Sequence, residues 1–261
     1  MNNFKRLISN RLIRIVGNIF KLLSYPFHWL LPKKRFVIPD YSPAKVNTNK
    51  QKAIPRVIWQ TNFTNKYSLP MYLNYLFNRL LSLNCEYRYV STEEREKYLQ
   101  AHAPTEVFDA YSRLTNGAAQ ADLWRLFILY KEGGVYMDID ATLVWSLDKL
   151  LGDEPQALYV KVSGNTEITN YFIASKPDNQ DLAEAIDQIV YNINNYTPEM
   201  GVYSSTGPTV LNNILSDKNV HTQDRKYVCI QGTFSNEYFQ YIDKPRGKWT
   251  HMKPEDLVKK K

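Results

Sequence analysis

Cysteine is scarce in this 261-residue chain: Cys85 and Cys229 stand far apart, with no CxxC pair and no Cys/His cluster. That argues against a disulfide framework and a structural zinc site, and makes a reducing cytoplasm the expected compartment. Long apolar runs are missing as well. The most apolar stretch, residues 4–31, is interrupted by Arg6, Arg11, Arg14 and Lys21, and never reaches the roughly 18–20 apolar residues that span a bilayer. Acids are absent before Asp40, whereas eight Lys and Arg precede it. Beyond that arm 25 basic residues face 26 acidic ones, so the net charge of +7 belongs to the arm. A near-neutral body is not built to wrap nucleic acid, and no nucleic-acid partner is expected. There is no internal repeat, no low-complexity tract and no Gly-rich phosphate loop. What the chain does have is 44% hydrophobic and 13% aromatic content over a length ample for a sizeable core.

The arm, residues 1–39, has helical periodicity. Arg6, Asn10, Arg14, Gly17, Lys21 and Ser24 fall on one narrow face, and Leu7, Ile8, Leu12, Ile15, Val16, Ile19, Leu22 and Leu23 cover much of the rest. Such a helix lies in a membrane interface, with Phe27, Trp29 and the Lys33-Lys34-Arg35 cluster as aromatic and cationic anchors. The alternative is a helix docked on its own domain or on a partner. No small-residue site suggests a cleaved signal peptide. Residues 40–53, rich in Pro, Asn and Lys, read as a linker.

From Ile54 short apolar strands alternate with helices, the pattern of an α/β layer structure. Strands are expected at Arg56–Trp59, Tyr87–Val90, Val135–Met137, Ala157–Val162, Tyr171–Ala174 and Tyr227–Ile230. Ser68 is placed to cap a helix running to about Leu83, and Ser91/Thr92 before Glu93-Glu94 to start another. Further helices are expected at Ala118–Tyr130, Gln180–Asn194 and Thr209–Leu215.

Residues 121–144, ADLWRLFILYKEGGVYMDIDATLV, are the most informative. The helix is apolar nearly all round and belongs against a sheet. Asp122 and Arg125, at i and i+3, share one face of it. They suit either a simple ion pair or a ligand-binding pair aimed at the C-terminal edge of the sheet. Gly133-Gly134 then turns the chain into a strand ending at Asp138-Ile139-Asp140. Carboxylates two apart in a strand point the same way and repel unless a cation lies beside them. Their hard oxygens suit Mg²⁺ or Mn²⁺.

On residues 54–61 (IPRVIWQT) and 116–144, and more loosely on 168–179 and 205–211, the chain resembles the DXD-containing family 32 glycosyltransferases. These are grouped with yeast initiating α-1,6-mannosyltransferase and bacterial capsule or lipopolysaccharide sugar transferases. The resemblance implies an α/β GT-A type nucleotide-sugar-binding fold over 54–261, a mixed sheet flanked by helices, with the N-terminal amphipathic helix added. It implies Mn²⁺ or Mg²⁺, a nucleotide-sugar donor with a UDP-sugar expected first, and retention at the anomeric carbon. Asp140 matches the direct metal ligand, Asp138 the carboxylate that supports it and contacts the donor, and Asp122 with Arg125 the pair on the donor sugar hydroxyls. Trp59 and Gln60 sit where relatives place nucleotide contacts, although many of those have IHQTW where this chain has IWQTN, and a core tryptophan fits as well. Asn170, Thr206 and Gly207 fall in loops near the site, the last two also fitting an ordinary turn with Pro at N1. Near the chain end, His251 is a candidate third metal ligand or diphosphate contact and Trp249 a donor contact, with Lys248 or Arg246 to neutralise diphosphate; a plain surface histidine is the alternative.

The implied function is hexosyl transfer to a glycan or lipid-linked oligosaccharide acceptor in lipopolysaccharide or capsule assembly, by an enzyme peripheral to the inner face of the cytoplasmic membrane. Two other classes compete. A silent membrane-peripheral nucleotide-sugar-binding scaffold need not keep all four of Asp122, Arg125, Asp138 and Asp140. A metal-dependent phosphotransferase would want a phosphate loop or a Lys-bearing motif.

Overall fold

The double glycine is the hinge on which the fold turns, because it joins the most buried helix to the central strand. A computed structural model describes residues 3–46, 52–152, 156–162, 164 and 166–259. In chain order these form helix α1 (Asn3–Leu30), strands β1 (Phe36–Val37), β2 (Tyr41–Ser42), β3 (Val57–Thr61) and β4 (Lys66–Tyr67), helix α2 (Leu69–Leu80) and strand β5 (Glu86–Val90). Helices α3 (Thr92–His102), α4 (Thr105–Arg113) and α5 (Gly117–Glu132) lead to strands β6 (Gly134–Met137) and β7 (Ala141–Leu143). Then come helix α6 (Leu147–Leu151), strands β8 (Ala157–Lys161) and β9 (Ile168–Ser175), and helices α7 (Gln180–Asn194), α8 (Gly201–Ser205) and α9 (Pro208–Leu215). Strands β10 (Thr222–Asp224) and β11 (Cys229–Gln231) and helix α10 (Glu237–Gln240) follow.

Seven strands make one mixed sheet in the order β10-β8-β9-β6-β3-β5-β2. Strand β6 runs parallel to β3 and antiparallel to β9, with Trp59 opposite Tyr136. Alternation along the strands divides the core. Trp59 and Tyr136 face Trp124, Phe127, Ile186 and Ile189 from α5 and α7. Ile58, Val135 and Met137 face Met71 and Tyr75 of α2 and Leu147 and Leu150 of α6. The result is a helix–sheet–helix sandwich with α5 buried along its length, as its all-round apolar sequence requires.

Gly133 and Gly134 adopt φ of 67° and 102°, a region closed to most L-residues. A Cβ would also lie 2.7 Å from Pro177 Cδ at the first and 2.7 Å from the Val57 carbonyl oxygen at the second. Close approach of strands β3 and β6 therefore needs Gly134, and the turn against Pro177 needs Gly133. Ser91 caps α3 through a reciprocal capping box with Glu94.

Three expectations are corrected, and one helix is added. Ser68 precedes α2 but makes no cap bond, because its hydroxyl donates instead to the Phe239 carbonyl; α2 also stops at Leu80, short of Leu83. Helix α4 arises where none was expected. The stretch 40–53 is not simply a linker: Tyr41–Ser42 pairs with β5 as the sheet's last strand, since pairing satisfies backbone groups that an edge leaves open. Residues 47–51 of it lie outside the described residues. Helix α1 docks on the body, as one of its two readings allows, but with its polar face, burying Arg6, Asn10, Gly17, Ser24 and His28 beside Ile13, and turns its apolar face outward. No helix among the described residues is long and apolar enough to cross a membrane.

Candidate active site

The C-terminal end of β6 collects the charged groups. Asp138, Ile139 and Asp140 lie in the turn between β6 and β7, closed by the Ala141 amide donating to the Asp138 carbonyl at 3.0 Å. The period-two strand argument therefore does not apply to them, yet their carboxylates still converge. The Gln231 side-chain amide donates to Asp138 Oδ2 at 3.2 Å and to Asp140 Oδ1 at 3.3 Å. Gln231 arrives by strand pairing, as β11 lies antiparallel to β7 with Gln231 opposite Ala141.

Helix α5 supplies the other half. Arg125 NH2 lies 3.0 Å from Asp122 Oδ1, and its NH1 lies 3.4 Å from Asp138 Oδ1. Its guanidinium stacks 4.4 Å above the Tyr136 ring, and the Tyr136 hydroxyl donates to Asp138 Oδ1 at 2.8 Å. Asp122 is then fully engaged: Asn170 Nδ2 donates to Oδ1 at 2.8 Å, and the Thr206 hydroxyl to Oδ2 at 3.0 Å. Arg125 NH1 also donates to the Asn170 carbonyl at 2.7 Å. The helix pair is thus no isolated ion pair but the hub of a network reaching β6, β9 and the end of α8. Gly207 packs its α-carbon so tightly on Tyr203 that a Cβ would lie 2.7 Å from the Tyr203 carbonyl oxygen, which lets Thr206 approach.

Burial sets the proton affinities. Asp122 is pushed up to about 6 by desolvation, against the pull of Arg125 and the Thr206 bond. Asp140 is pushed up to about 7 by desolvation and then by the Asp138 charge. Asp138 is raised by the same burial, offset by Arg125 and Tyr136. Two carboxylates bridged by one amide nitrogen, one of them with its proton affinity raised by the other's charge, form a site that a divalent cation would relieve. Their hard oxygens fit Mg²⁺ or Mn²⁺. Among the described residues no group of three or more His, Cys, Asp or Glu converges; Asp138 and Asp140 are the two carboxylates that would hold such an ion.

The remaining predicted residues lie elsewhere or act indirectly. Gln60 is buried behind the turn, donating to the carbonyls of Met137 at 3.3 Å and Asp138 at 3.0 Å while accepting from the Tyr87 hydroxyl. Trp59 is a core residue whose indole N–H donates to the Gly133 carbonyl, at the opposite end of β6 from the acids. A 490 Å³ groove beside Trp59 is lined by Arg88, Glu94 and Glu132, and none of Asp122, Asp138 or Asp140 reaches it. His251 pairs with Glu237 at 3.1 Å, and Trp249 is exposed; neither joins the acid network.

Three contributors carried no reading from sequence. Gln231 had no local signal, being brought in by a pairing across some ninety residues. Asn74 and Asn78 hold the turn from α2: Asn74 donates to the carbonyls of Ile139 and Ala141 at 2.9 Å, and Asn78 to Ala141 at 2.8 Å. Two asparagines at i and i+4 on a buried helix face are a detectable sign of such a backbone clamp.

Comparisons with known proteins bear on the fold and on the segment that carries the acids. Residues 70–158 match the family model described as glycosyltransferase sugar-binding region containing DXD motif. The chain is 27% identical over 181 residues to inositol phosphoceramide mannosyltransferase 3 of Schizosaccharomyces pombe, covering 69% of this chain and 49% of that protein. It is 26% identical over 167 residues to the initiation-specific alpha-1,6-mannosyltransferase of Candida albicans, covering 59% and 42%. The chain therefore spans about half or less of the length of these fungal relatives. The solved structure of the PaToxG glycosyltransferase is similar in fold, with a TM-score of 0.52 at 15% identity, covering 82% of this chain and 80% of that one. Asp138-Ile139-Asp140 lies inside the matched region, and the mixed sheet around it is that of the GT-A glycosyltransferases, so the chain is similar to the DXD-containing glycosyltransferases in this segment and in fold.

Proposed function

We propose that the chain is a metal-dependent retaining glycosyltransferase that moves a hexose from a nucleotide-sugar, a UDP-sugar first among the candidates, to a glycan or lipid-linked acceptor. The observation that carries this reading is the continuous network from Thr206 and Asn170 through Asp122 and Arg125 to Asp138, with Asp140 one amide bridge away. Asp138 and Asp140 would hold Mn²⁺ or Mg²⁺, which when bound acts as a Lewis acid on the departing diphosphate. The chain's own part is orientation. Thr206, Asn170 and Arg125 pin both oxygens of Asp122, so that the carboxylate keeps one orientation beside the sugar site. Arg125, held between two acids and an aromatic face, offers positive charge near the sugar without reorganisation. Gln60, Asn74 and Asn78 fix the backbone of the turn from which both carboxylates project. Gln231 must release at least one carboxylate when an ion binds, and its amide is then free for a donor oxygen. Retention follows from approach of the acceptor hydroxyl on the leaving-group face, with a diphosphate oxygen accepting its proton. Lipopolysaccharide or capsule is the acceptor setting implied by the resemblance; the fungal relative named for inositol phosphoceramide points to a lipid-borne hydroxyl.

The test is thermal stabilisation of the full chain by UDP-, GDP- and CMP-sugars and by nucleoside triphosphates, with and without Mn²⁺, beside Asp140→Asn. A Mn²⁺-dependent shift with one donor, absent from the variant, supports the reading and identifies the donor. No shift with any donor would favour the silent scaffold, and a shift with nucleoside triphosphates alone the phosphotransferase.

A further inference from the structure

Helix α1 is inside out by the usual rule for a helix on a soluble domain. Its buried face is polar: Arg6 NH1 donates to Gln223 at 2.7 Å, the Ser9 hydroxyl to the Val144 carbonyl at 2.7 Å, and Asn10 to the Lys226 carbonyl at 2.7 Å. Gly17 sits against the 233–234 segment, where a Cβ would come 2.5 Å from Thr233 Cγ2. Its outer face is a continuous apolar stripe through Ile8, Leu12, Ile15, Ile19, Leu22 and Trp29, with Leu22 at 69% and Trp29 at 81% exposure. At 28 residues the helix is about 42 Å long, and so exposed a stripe on one element marks an interaction surface. Its charge chooses the partner. No acid lies within residues 1–39, exposed Lys5 and Arg11 flank the stripe on opposite sides of the helix, and exposed Lys33 and Lys34 close its C-terminal end.

We propose that the outward face of α1 is a docking surface for an anionic lipid bilayer, and that its polar inner face clamps the catalytic body to that bilayer in a fixed orientation. The apolar stripe enters the acyl boundary while the flanking cations meet lipid phosphates. The clamp reaches the carboxylates through the segment that α1 braces. Lys21 Nζ donates to the Gly232 carbonyl at 3.0 Å and the Ser235 carbonyl at 3.5 Å, and Gly232 immediately follows Gln231, the bridge between Asp138 and Asp140. A membrane held by α1 is thus held at a set position relative to the acid turn, as an enzyme working on a lipid-borne acceptor requires. This rests on the proposed function only for its purpose, since binding is measured without donor or acceptor.

The experiment is co-sedimentation of the full chain with phosphatidylcholine vesicles with and without phosphatidylglycerol, beside the double variant Leu12→Glu/Leu22→Glu. Both substituted side chains point away from the body, so the variant keeps its melting temperature. Binding to the phosphatidylglycerol vesicles, reduced about tenfold or more in the variant and weak on phosphatidylcholine alone, is the expected result. Absence of binding to phosphatidylglycerol vesicles overturns the proposal, as does equal binding by wild type and variant. So does a wild-type dimer that the double variant converts to a monomer without any vesicle binding, which would make the stripe an interface between copies of the chain. Failure of donor-induced stabilisation with vesicle binding intact would fault the enzymatic reading and leave the docking surface standing.

Discussion

Helix α5 and helix α1 put polar side chains in the interior for opposite reasons. On α5, Asp122 and Arg125 are buried among aromatics, each satisfied by partners from other elements, and together they hold Asp138 in place. On α1, Arg6, Asn10 and Ser9 are spent on backbone carbonyls and a glutamine of the body, while leucines and isoleucines face out. The first arrangement spends burial on preorganising charge; the second spends it on orienting an apolar surface. Buried polarity is therefore informative only when one asks what the residue's other side is left free to do.

The largest way to break this contrast is at the hub. Arg125→Met leaves Asp122 and Asp138 without the cation between them, and loss of one partner of a buried charge pair costs about 3–5 kcal/mol. Chemical denaturation should register that loss at neutral pH, and donor-induced stabilisation should vanish. The corresponding change on α1, Gly17→Leu, drives a side chain into Thr233 and overpacks the helix seat. A loss of about 1–3 kcal/mol is expected, read as a lower melting temperature, whereas the outward Leu12→Glu/Leu22→Glu change leaves stability unaltered.

A smaller effect sharpens the electrostatic half. Asp140 has a folded-state proton affinity raised to about 7, above that of an unfolded carboxylate. Folding therefore takes up a proton between about pH 4 and pH 7, and in the absence of metal Asp140 lowers stability progressively as pH rises through that window. Asp140→Asn should have a flatter melting-temperature profile over the same range, with the gap to wild type largest above pH 7. A gap that is widest at pH 4 would contradict the repulsion between Asp138 and Asp140. The smallest change is at the bridge: Gln231→Ala removes two long hydrogen bonds and should cost no more than about 1 kcal/mol. It should leave a Mn²⁺-dependent stabilisation intact, because Gln60, Asn74 and Asn78 still hold the backbone of the turn that carries both acids; loss of that stabilisation would make Gln231 part of the metal site.

Much of the fold was legible where the signal is local. Alternation of Val57, Ile58 and Trp59, the apolar run of α5, the capping box at Ser91 and the tight turn at Gly133-Gly134 each depend on neighbours within a few residues. Ser68 misled because its hydroxyl is claimed by Phe239, which no local pattern reveals. Tyr41–Ser42 misled because Pro and Asn around it signal a loop, while an open edge of β5 recruits it. At the site, Asp122, Arg125, Asp138, Asn170 and Thr206 are brought into one network, Gln60 lies just behind it, and Trp59, Trp249 and His251 stand apart from it.

By itself the sequence determined periodicity, punctuation and charge: which residues share a helix face, where glycine admits positive φ, and that all the basic excess lies before Asp40. Only the tertiary structure decided which face of α1 turns inward and which amide bridges Asp138 and Asp140. A helical pattern separates two faces without saying what medium each will meet, and the pairing of β11 with β7 is a contact between distant segments that local conformational preferences cannot encode.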